Sequence, residues 1–377
     1  MDGLLYLDHA ASTPMRPSAV QAMTPFLTDC FANPSGSHRF ARTARRAVDE
    51  AREQVAAVLG VLPGEVVFTG CGTESDNQAV TGSIAHRGGV AVTSAVEHHA
   101  VLDPVLASGG VVVGVDGTGH VDLDELAQVL AANDDVSVVS VMAVNNEVGT
   151  VTDMAAVAEV VRREAPGAWL HTDAVQAACW IDLRGVTPLV DMLSLSAHKF
   201  GGPKGVGVLV VRGGASPAPI IRGGGQERER RSGTSNVAGI VATGVALAET
   251  DAERVAESER VGALRARLVE AVVSAVDARE TVPAAVAVPG VAHLCFEGIE
   301  NEALLFLLDT EGVCASAASA CASGAMEPSH VLAAMGVPRE MAGGALRLSL
   351  GHTTTVEEID AAARAVVSSV ERLRGAG

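Results

Sequence analysis

The stretch SLSAHKFGGPK, residues 194–204, is the part of this sequence that best indicates its fold. It overlaps an apolar run at 190–195 that predicts a buried parallel strand, and it precedes a second strand-like run at 206–211. Lysine is seldom buried without a partner or a function. Lys199 is therefore either an ordinary loop lysine over the Gly-Gly-Pro turn or a desolvated amine. Desolvation would lower the pKa of the amine and make it a nucleophile able to form a Schiff base.

Two neighbours of this lysine suggest what it could bind. Ser196 and His198 supply donors suited to a phosphate group. A lysine beside phosphate donors predicts pyridoxal 5′-phosphate, because the aldehyde of this cofactor needs an amine and its phosphate needs donors. Such a site also needs an acid for the pyridine nitrogen, a phosphate cradle, a ring-stacking group and a clamp for a substrate carboxylate.

Composition restricts the class of protein. The chain has 377 residues, enough for two domains, and a formal charge of -18 that does not favour direct binding to nucleic acid. Its start lacks a signal-peptide pattern and no apolar run could span a bilayer, so we expect a cytoplasmic protein without a membrane segment. The six cysteines form no C-x-x-C pair. We therefore expect free thiols in a reducing compartment and no bound metal.

Strand-like runs alternate with helical patterns through the first part of the chain. This alternation predicts an α/β fold with a mostly parallel sheet. It stops where helical sequence begins, at 235 to about 278, and we expect the charged stretch 250–259 to break that helix. We predict a large domain at 15–235 and a smaller α+β domain formed by 236–377 together with 1–14.

Polar residues follow several predicted strands, at the edge where open parallel sheets bind ligands. The sequence GCGTESDNQAV at 70–80 places glycines and Thr73 at a helix start, which is typical of an anion site. Thr73 is equally suited to capping an ordinary helix. His98 follows the strand at 90–94, where its ring is either structural or suited to stacking on a pyridine ring.

Two further strand ends and one later strand carry candidate ligands. Asp173 follows the strand at 169–172, where it could pair with a protonated pyridine nitrogen or cap a helix. The sequence NNEVGT at 145–150 either makes a turn or offers an asparagine amide to a ligand. Arg347, within LRLSLG, could bind a carboxylate bidentately.

One cysteine lies in an unusual context. The run GVCASAASACASGAMEPSHV, residues 312–331, has almost no bulky residues around Cys321. Such a segment buries little apolar surface, so we expect it to be mobile. An exposed cysteine there is expected to be reactive. The alternative is a small-residue loop whose cysteine has no function.

Taken together, these motifs make the chain resemble the cysteine desulfurases, pyridoxal-phosphate enzymes of the aspartate-aminotransferase fold type. The SACAS…EPSHVL form resembles the class with the longer cysteine loop. The resemblance covers nearly the whole chain and implies a large, mostly parallel seven-stranded sheet domain of PLP fold type I. It is carried by YLDHAASTP, ANPSGSHRF, FTGCGTESDN, VEHHAV, NNEVGT, DAVQ, SLSAHKFGGPKG, GGGQERERRSGT, SACASGAMEPSHVL and LRLSLG.

The resemblance implies a role for each matching residue. Catalysis is implied for Cys321 as nucleophile, for Lys199 as the covalent cofactor lysine, and for His98, which would also stack on the ring. Cofactor contacts are implied for Gly72, Thr73, His98, Asn146, Asp173, Gln176, Ser196, His198, Lys199 and Thr234. Binding of the substrate carboxylate is implied for Arg347 and Asn33, with Asn146 also facing the substrate. Thr234 would reach the cofactor phosphate of a neighbouring subunit, which implies a homodimer.

The implied reaction removes sulfur from L-cysteine, gives L-alanine and leaves a persulfide on Cys321. The sulfur would pass to an acceptor protein in iron–sulfur assembly, tRNA thiolation or DNA sulfur modification. Three alternatives stay open on the sequence. The chain could be an aminotransferase or lyase without a cysteine nucleophile, a selenocysteine lyase, or a non-catalytic adaptor that kept the fold.

Overall fold

A computed structural model describes residues 4–317 and 329–375 of the chain. The predicted nucleophile Cys321 therefore lies outside the described residues. The strands within the described ranges are β1 (Leu5–Tyr6), β2 (Val66–Thr69), β3 (Val90–Ser94), β4 (Val111–Val113), β5 (Val136–Ser140), β6 (Trp169–Asp173), β7 (Met192–Ser196), β8 (Gly207–Val211), β9 (Arg279–Glu280), β10 (Val291–Cys295), β11 (Val313–Cys314) and β12 (Ala345–Ser349).

Helices alternate with these strands through the first two thirds of the chain. The α-helices in the same ranges are α1 (Pro17–Thr28), α2 (Arg39–Leu59), α3 (Gly72–Arg87), α4 (His99–Ala107), α5 (Leu123–Ala131), α6 (Met154–Glu164), α7 (Val237–Val273), α8 (Asn301–Thr310), α9 (His330–Ala334), α10 (Arg339–Ala342) and α11 (Val356–Gly375). None of the helices in the described ranges is both long and apolar enough to cross a membrane.

The large sheet has seven strands in the order β2-β8-β7-β6-β5-β3-β4. Strand β8 runs antiparallel to β2 and β7, and all the other neighbours in this sheet are parallel. Along β7, Met192 packs in one apolar cluster while Leu193 and Leu195 pack in another, so both faces of the sheet are covered. The predicted α/β fold with a mostly parallel seven-stranded sheet is confirmed.

The second part of the chain forms smaller sheets. Strand β10 pairs antiparallel with β9 and β12, and β1 pairs parallel with β11. Leu7, just after β1, packs in the same core as Leu346 and Leu348 of β12. The first residues therefore contribute to the core of the C-terminal part. The predicted domain limits stay a prediction.

The expected break in the long helix is wrong, since α7 continues from Val237 to Val273. The charged stretch within it is accommodated by partners outside the helix. Arg16 Nη1 lies 2.7 Å from both Glu249 Oε1 and Glu253 Oε2. The buried hydroxyl of Thr250 donates to Phe200 O at 2.9 Å. Charges on one face of a helix need not end it when the opposite face packs on apolar neighbours.

The topology gathers polar residues at one edge. Strands β3, β5, β6 and β7 are successive neighbours in the sheet and all run parallel. Strand β3 ends at Ser94, β6 at Asp173 and β7 at Ser196. The carboxyl ends of parallel strands face the same side of a sheet, where open α/β sheets bind their ligands. The candidate site is therefore expected at this edge.

Candidate active site

A cavity of about 330 Å³ lies at the carboxyl edge of the large sheet. Most of the predicted site residues meet there although they come from distant parts of the chain. The ten that line this cavity are Gly72, Thr73, His98, Asn146, Asp173, Gln176, Ser196, His198, Lys199 and Arg347.

Lys199 lies in a single 3-10 turn, Ala197–Lys199, that directly follows β7. Its Nζ donates to Ala10 O at 2.5 Å and to Ala11 O at 3.0 Å. Burial lowers the pKa of this amine to about 8, and the positive charge of Arg347 acts in the same direction. A much larger share of the amine is therefore neutral near pH 7 than for an exposed lysine, as a Schiff-base nucleophile requires.

Asp173 is the last residue of β6 and is buried. Its Oδ1 accepts a hydrogen bond from Val175 N at 2.8 Å. Burial raises the pKa of its carboxyl, while that backbone bond and the nearby His98 and Lys199 act in the opposite direction. The carboxylate thus lies near the amine of Lys199 and would gain most from a protonated ligand nitrogen.

His98 occupies the position before α4, and its Nδ1 accepts from Ala100 N at 3.0 Å. Burial lowers the pKa of its imidazole. A neutral ring that accepts at Nδ1 carries its proton on Nε2. His98 therefore offers the cavity a ring face and a single N–H donor.

The start of α3 forms a cradle for an anion. Cys71 occupies the cap position and its side chain makes no capping hydrogen bond. The alternative that Thr73 caps this helix is therefore wrong. A Cβ on Gly72 would lie only 2.9 Å from Val175 Cγ2 and 3.2 Å from Ser196 Cβ, so this approach requires glycine. The backbone N–H groups of a helix start attract negative charge.

His198 also lines this cavity. Its Nδ1 is 3.2 Å from Ser12 Oγ. Burial lowers the pKa of the imidazole to about 4, and the charges of Lys199 and Lys204 act in the same direction. The ring is therefore neutral near pH 7 and can still donate from one nitrogen to a phosphate oxygen.

Arg347 enters the cavity from β12 and is buried. Its Nη1 donates to Asn146 O at 2.8 Å and its Nη2 to Asp8 Oδ1 at 2.8 Å. Its buried Nε has no hydrogen-bond partner among the described residues. The guanidinium is held in place by two of its five N–H groups, and the other three have no hydrogen-bond partner among the described residues.

Two predicted site residues lie elsewhere. Asn33 is exposed, and its Oδ1 accepts from Ser35 N at 2.9 Å within its own turn. Thr234 is exposed and lines a separate cavity of about 130 Å³ beside Arg231. Cys321 lies outside the described residues.

Sequence reasoning missed three acids around the cavity. Asp8 pairs with Arg347, and Asp76 lines the cavity wall. Glu97 is buried next to His98, and burial raises the pKa of its carboxyl to about 8. Each of these acids lies within a motif quoted above, in DHAAS, TESDN or VEHH. Its place beside a predicted site residue is the signal that could have identified it.

Comparison with known proteins places these residues in a wider context. Residues 5–362 match the sequence profile described as "Aminotransferase class-V". A "Cysteine desulfurase IscS" from Dictyoglomus turgidum is 40% identical over 98% of this chain and 95% of its own length. The solved structure "NIFS-LIKE PROTEIN" matches with a TM-score of 0.90 and 35% identity, covering 98% of this chain and 100% of its own.

A further structure, "SspA in complex with cysteine", matches with a TM-score of 0.80. It is 32% identical to this chain, and the match covers 92% of this chain and 98% of that one. The similarity therefore extends over nearly the whole of both chains.

Proposed function

We infer that this chain, which belongs to the class-V aminotransferase family, is a pyridoxal-phosphate-dependent cysteine desulfurase. The resemblance predicted from the sequence motifs is confirmed by relatives of that name, which are about 40% identical over nearly the full length. The observation that carries this function is one cavity in which Lys199, Asp173 and the start of α3 meet Arg347. Of the alternatives considered from the sequence, the adaptor is disfavoured because these binding groups are all retained.

The cavity fits the cofactor in size and in chemistry. Its volume of about 330 Å³ lies within the usual range for small-molecule sites. Lys199 has a lowered pKa, Asp173 suits a protonated ring nitrogen, and Gly72 leaves room at the helix start. We propose that Gly72, Thr73, Ser196 and His198 hold the phosphate, and that Gln176 and Asn146 face the ring or the substrate.

When bound, pyridoxal phosphate withdraws electrons from the substrate α-carbon and so weakens the bonds around it. Asp173 keeps the ring nitrogen protonated by offering a carboxylate in a buried position. His98 packs its neutral ring against the cofactor ring. The amine of Lys199, once freed by the substrate, takes the α-proton and returns protons during the reaction, because its lowered pKa suits both directions.

Arg347 orients the substrate by its carboxylate. The substrate carboxylate would accept from N–H groups of Arg347 that have no partner among the described residues, and would share Nη2 with Asp8. Asn33 was expected to help, but its side chain is turned into its own loop within this chain. We keep Asn33 as a secondary proposal that depends on a change in that turn.

The described residues on both sides of the segment that carries Cys321 are anchored near the cavity. Upstream, Ser316 and Arg347 exchange backbone hydrogen bonds of 3.2 and 2.7 Å. Downstream, the Ser329 hydroxyl donates to the buried carboxyl of Glu147. Five residues span at most about 18 Å when extended. The length of chain after Ser316 therefore permits Cys321 to reach a substrate bound at Arg347.

In the proposed transfer step the Cys321 thiolate attacks the sulfur of L-cysteine. A sulfur–sulfur bond forms and the carbon–sulfur bond breaks, and its electron pair remains on the carbon skeleton. A proton then completes L-alanine, and the persulfide stays on Cys321. The thiolate is the reactive form, so the substrate complex must lower the pKa of this thiol or supply a base.

We further propose that the enzyme is a cytoplasmic homodimer that passes sulfur to an acceptor protein. Thr234 is exposed and lies away from its own cavity, as required of a residue that serves a neighbouring subunit. The described cysteines are all unpaired, which fits a reducing compartment. The acceptor would act in iron–sulfur assembly, tRNA thiolation or DNA sulfur modification.

The test is release of alanine from L-cysteine in the presence of a reductant. We compare wild-type protein, Cys321→Ala and the matched control Cys30→Ala, each loaded with the cofactor. We expect alanine from the wild type and the control, and loss of release in Cys321→Ala. Equal release by all three proteins would remove Cys321 as nucleophile, and turnover of other amino acids in its place would favour an aminotransferase.

A further inference from the structure

Asn145 carries a buried amide that the mechanism above does not use. It directly precedes the cavity residue Asn146 and is itself only 2% exposed. Its Oδ1 accepts from Glu147 N at 2.9 Å and from Val148 N at 3.0 Å. Its Nδ2 donates to Val96 O at 3.0 Å. One side chain therefore binds backbone groups of two separate turns.

The partners of this amide determine which way it points. Its oxygen faces two N–H donors, and its nitrogen faces a carbonyl oxygen and, at 3.4 Å, Met142 Sδ. Turning the amide round would place its N–H groups against two donors and leave Val96 O facing an oxygen. Only one orientation of Asn145 satisfies every partner.

The oxygen of Asn145 shapes the turn that holds the substrate clamp. An asparagine oxygen that accepts from the N–H two residues on forms an Asx-turn, and Asn145 N closes the same turn by donating to Thr150 O at 2.9 Å. Asn146 lies inside this turn, and its carbonyl accepts from Arg347 Nη1 at 2.8 Å. The direction of that carbonyl, and with it the place of the guanidinium, therefore depends on Asn145.

The nitrogen of Asn145 holds the turn that leads to His98. Val96, whose carbonyl accepts from Asn145, lies two residues before His98. A second bond joins the same two segments, since Met142 N donates to Glu97 Oε1 at 2.8 Å. Both residues that lead into His98 are thus tied to the chain that follows β5.

We propose that Asn145 is a positioning residue that joins the two halves of the active site. It fixes Arg347 through the carbonyl of Asn146, and it fixes His98 through the carbonyl of Val96. This inference rests on the proposed function, because the roles of Arg347 and His98 come from it. The contacts keep the substrate carboxylate and the cofactor ring at a constant spacing, which productive alignment requires.

The experiment compares four cofactor-loaded proteins: wild type, Asn145→Ala, Arg347→Lys and the variant that combines both replacements. The readouts are KM for L-cysteine, from alanine release, and the visible circular dichroism of the bound cofactor, which reports how its ring is held against His98. We expect Asn145→Ala to raise KM about five- to tenfold and to change the circular dichroism. In the Arg347→Lys background the same replacement should change KM less than about twofold, because the clamp is already lost.

Three results overturn this inference. One is an unchanged KM or an unchanged circular dichroism in Asn145→Ala. Another is an equal rise of KM in both backgrounds, which would show that Asn145 acts independently of Arg347. The matched control is Thr187→Val, which breaks a buried bond to Leu59 O at 2.8 Å and should change neither readout. Equal changes in this control would show a general effect of losing a buried bond.

A second variant serves if Asn145→Ala does not fold. In Asn145→Ser one hydroxyl oxygen replaces both amide atoms, and it cannot keep all of their hydrogen bonds. We expect KM and the circular dichroism to change in the same direction as in Asn145→Ala, and no change in either would overturn the inference. A wild-type protein that binds no cofactor or releases no alanine would instead overturn the proposed function itself.

Discussion

Replacing Arg347 by lysine tests the substrate clamp. The guanidinium holds Asn146 O and Asp8 Oδ1 at 2.8 Å each and keeps a buried N–H free of partners among the described residues. Lysine keeps the charge but cannot reach these acceptors and a carboxylate together. Loss of one charge-assisted hydrogen bond to the substrate costs about 1.5–3 kcal/mol, which is about 10- to 150-fold in affinity.

We expect KM for L-cysteine to rise by this factor in Arg347→Lys, with a smaller change in kcat, because the bond is made in the bound state and in the transition state alike. The assay is initial-rate alanine release over a range of L-cysteine. Arg265→Lys is a matched control, since Arg265 is also buried and donates to a carbonyl, Val291 O at 2.6 Å, and to a carboxylate, that of Glu280. An unchanged KM in Arg347→Lys, or an equal rise in Arg265→Lys, would refute the assignment of the clamp.

Three further predictions follow from particular contacts. Because the pKa of Lys199 is lowered to about 8, we expect the rate at which the apoenzyme captures pyridoxal phosphate to rise with pH and to level off above about pH 8. A rate, followed by stopped-flow absorbance, that still rises up to about pH 10 would contradict this. Gly72→Ala places a Cβ 2.9 Å from Val175 Cγ2, so we expect cofactor binding at least about tenfold weaker in an absorbance titration, whereas unchanged binding would count against the cradle. Glu227→Gln removes the negative charge that pairs with Arg52 at 2.7 Å, where both side chains are largely buried. We expect the free energy of unfolding, measured in urea, to fall by about 3 kcal/mol, and a fall of less than about 0.5 kcal/mol would refute this.

The sequence predicted most of the cofactor pocket because its residues lie at strand ends and helix starts. Asp173 and Ser196 end their strands, and Lys199 lies in the turn that follows β7. Parallel strands bring such positions to one edge whatever their separation in the chain. Local patterns, together with the motif resemblance, were therefore enough to name residues from 72 to 347 that line one cavity.

What the sequence could not supply depends on side-chain packing. Asp8 reaches Arg347 across 339 positions, and nothing in the local pattern of either residue predicts that pair. Asp76 is one of several polar residues in GCGTESDNQAV, yet it is buried, and its helix packs on β7. The prediction of a break in α7 was wrong for the same reason. Glu249 and Glu253 of this helix pair with Arg16, which lies just before α1.

The domain limits and the roles of individual site residues stay predictions. Asn33 and Thr234 show why, because each lies outside the cavity of its own chain. A motif match transfers a residue's role only if the surrounding geometry supports it. For Thr234 the proposed role requires a second subunit.

The measurement that tests the central claim most directly is mass spectrometry of the cofactor-loaded enzyme after brief exposure to L-cysteine, with peptide mapping under non-reducing conditions. We predict one added sulfur atom on the peptide that contains Cys321, together with stoichiometric alanine and removal of the added mass by a thiol reductant. The same peptide from Lys199→Ala, which lacks the essential amine, should carry no added sulfur. Alanine formation with no added sulfur on Cys321, or with the sulfur on another cysteine, would contradict the account.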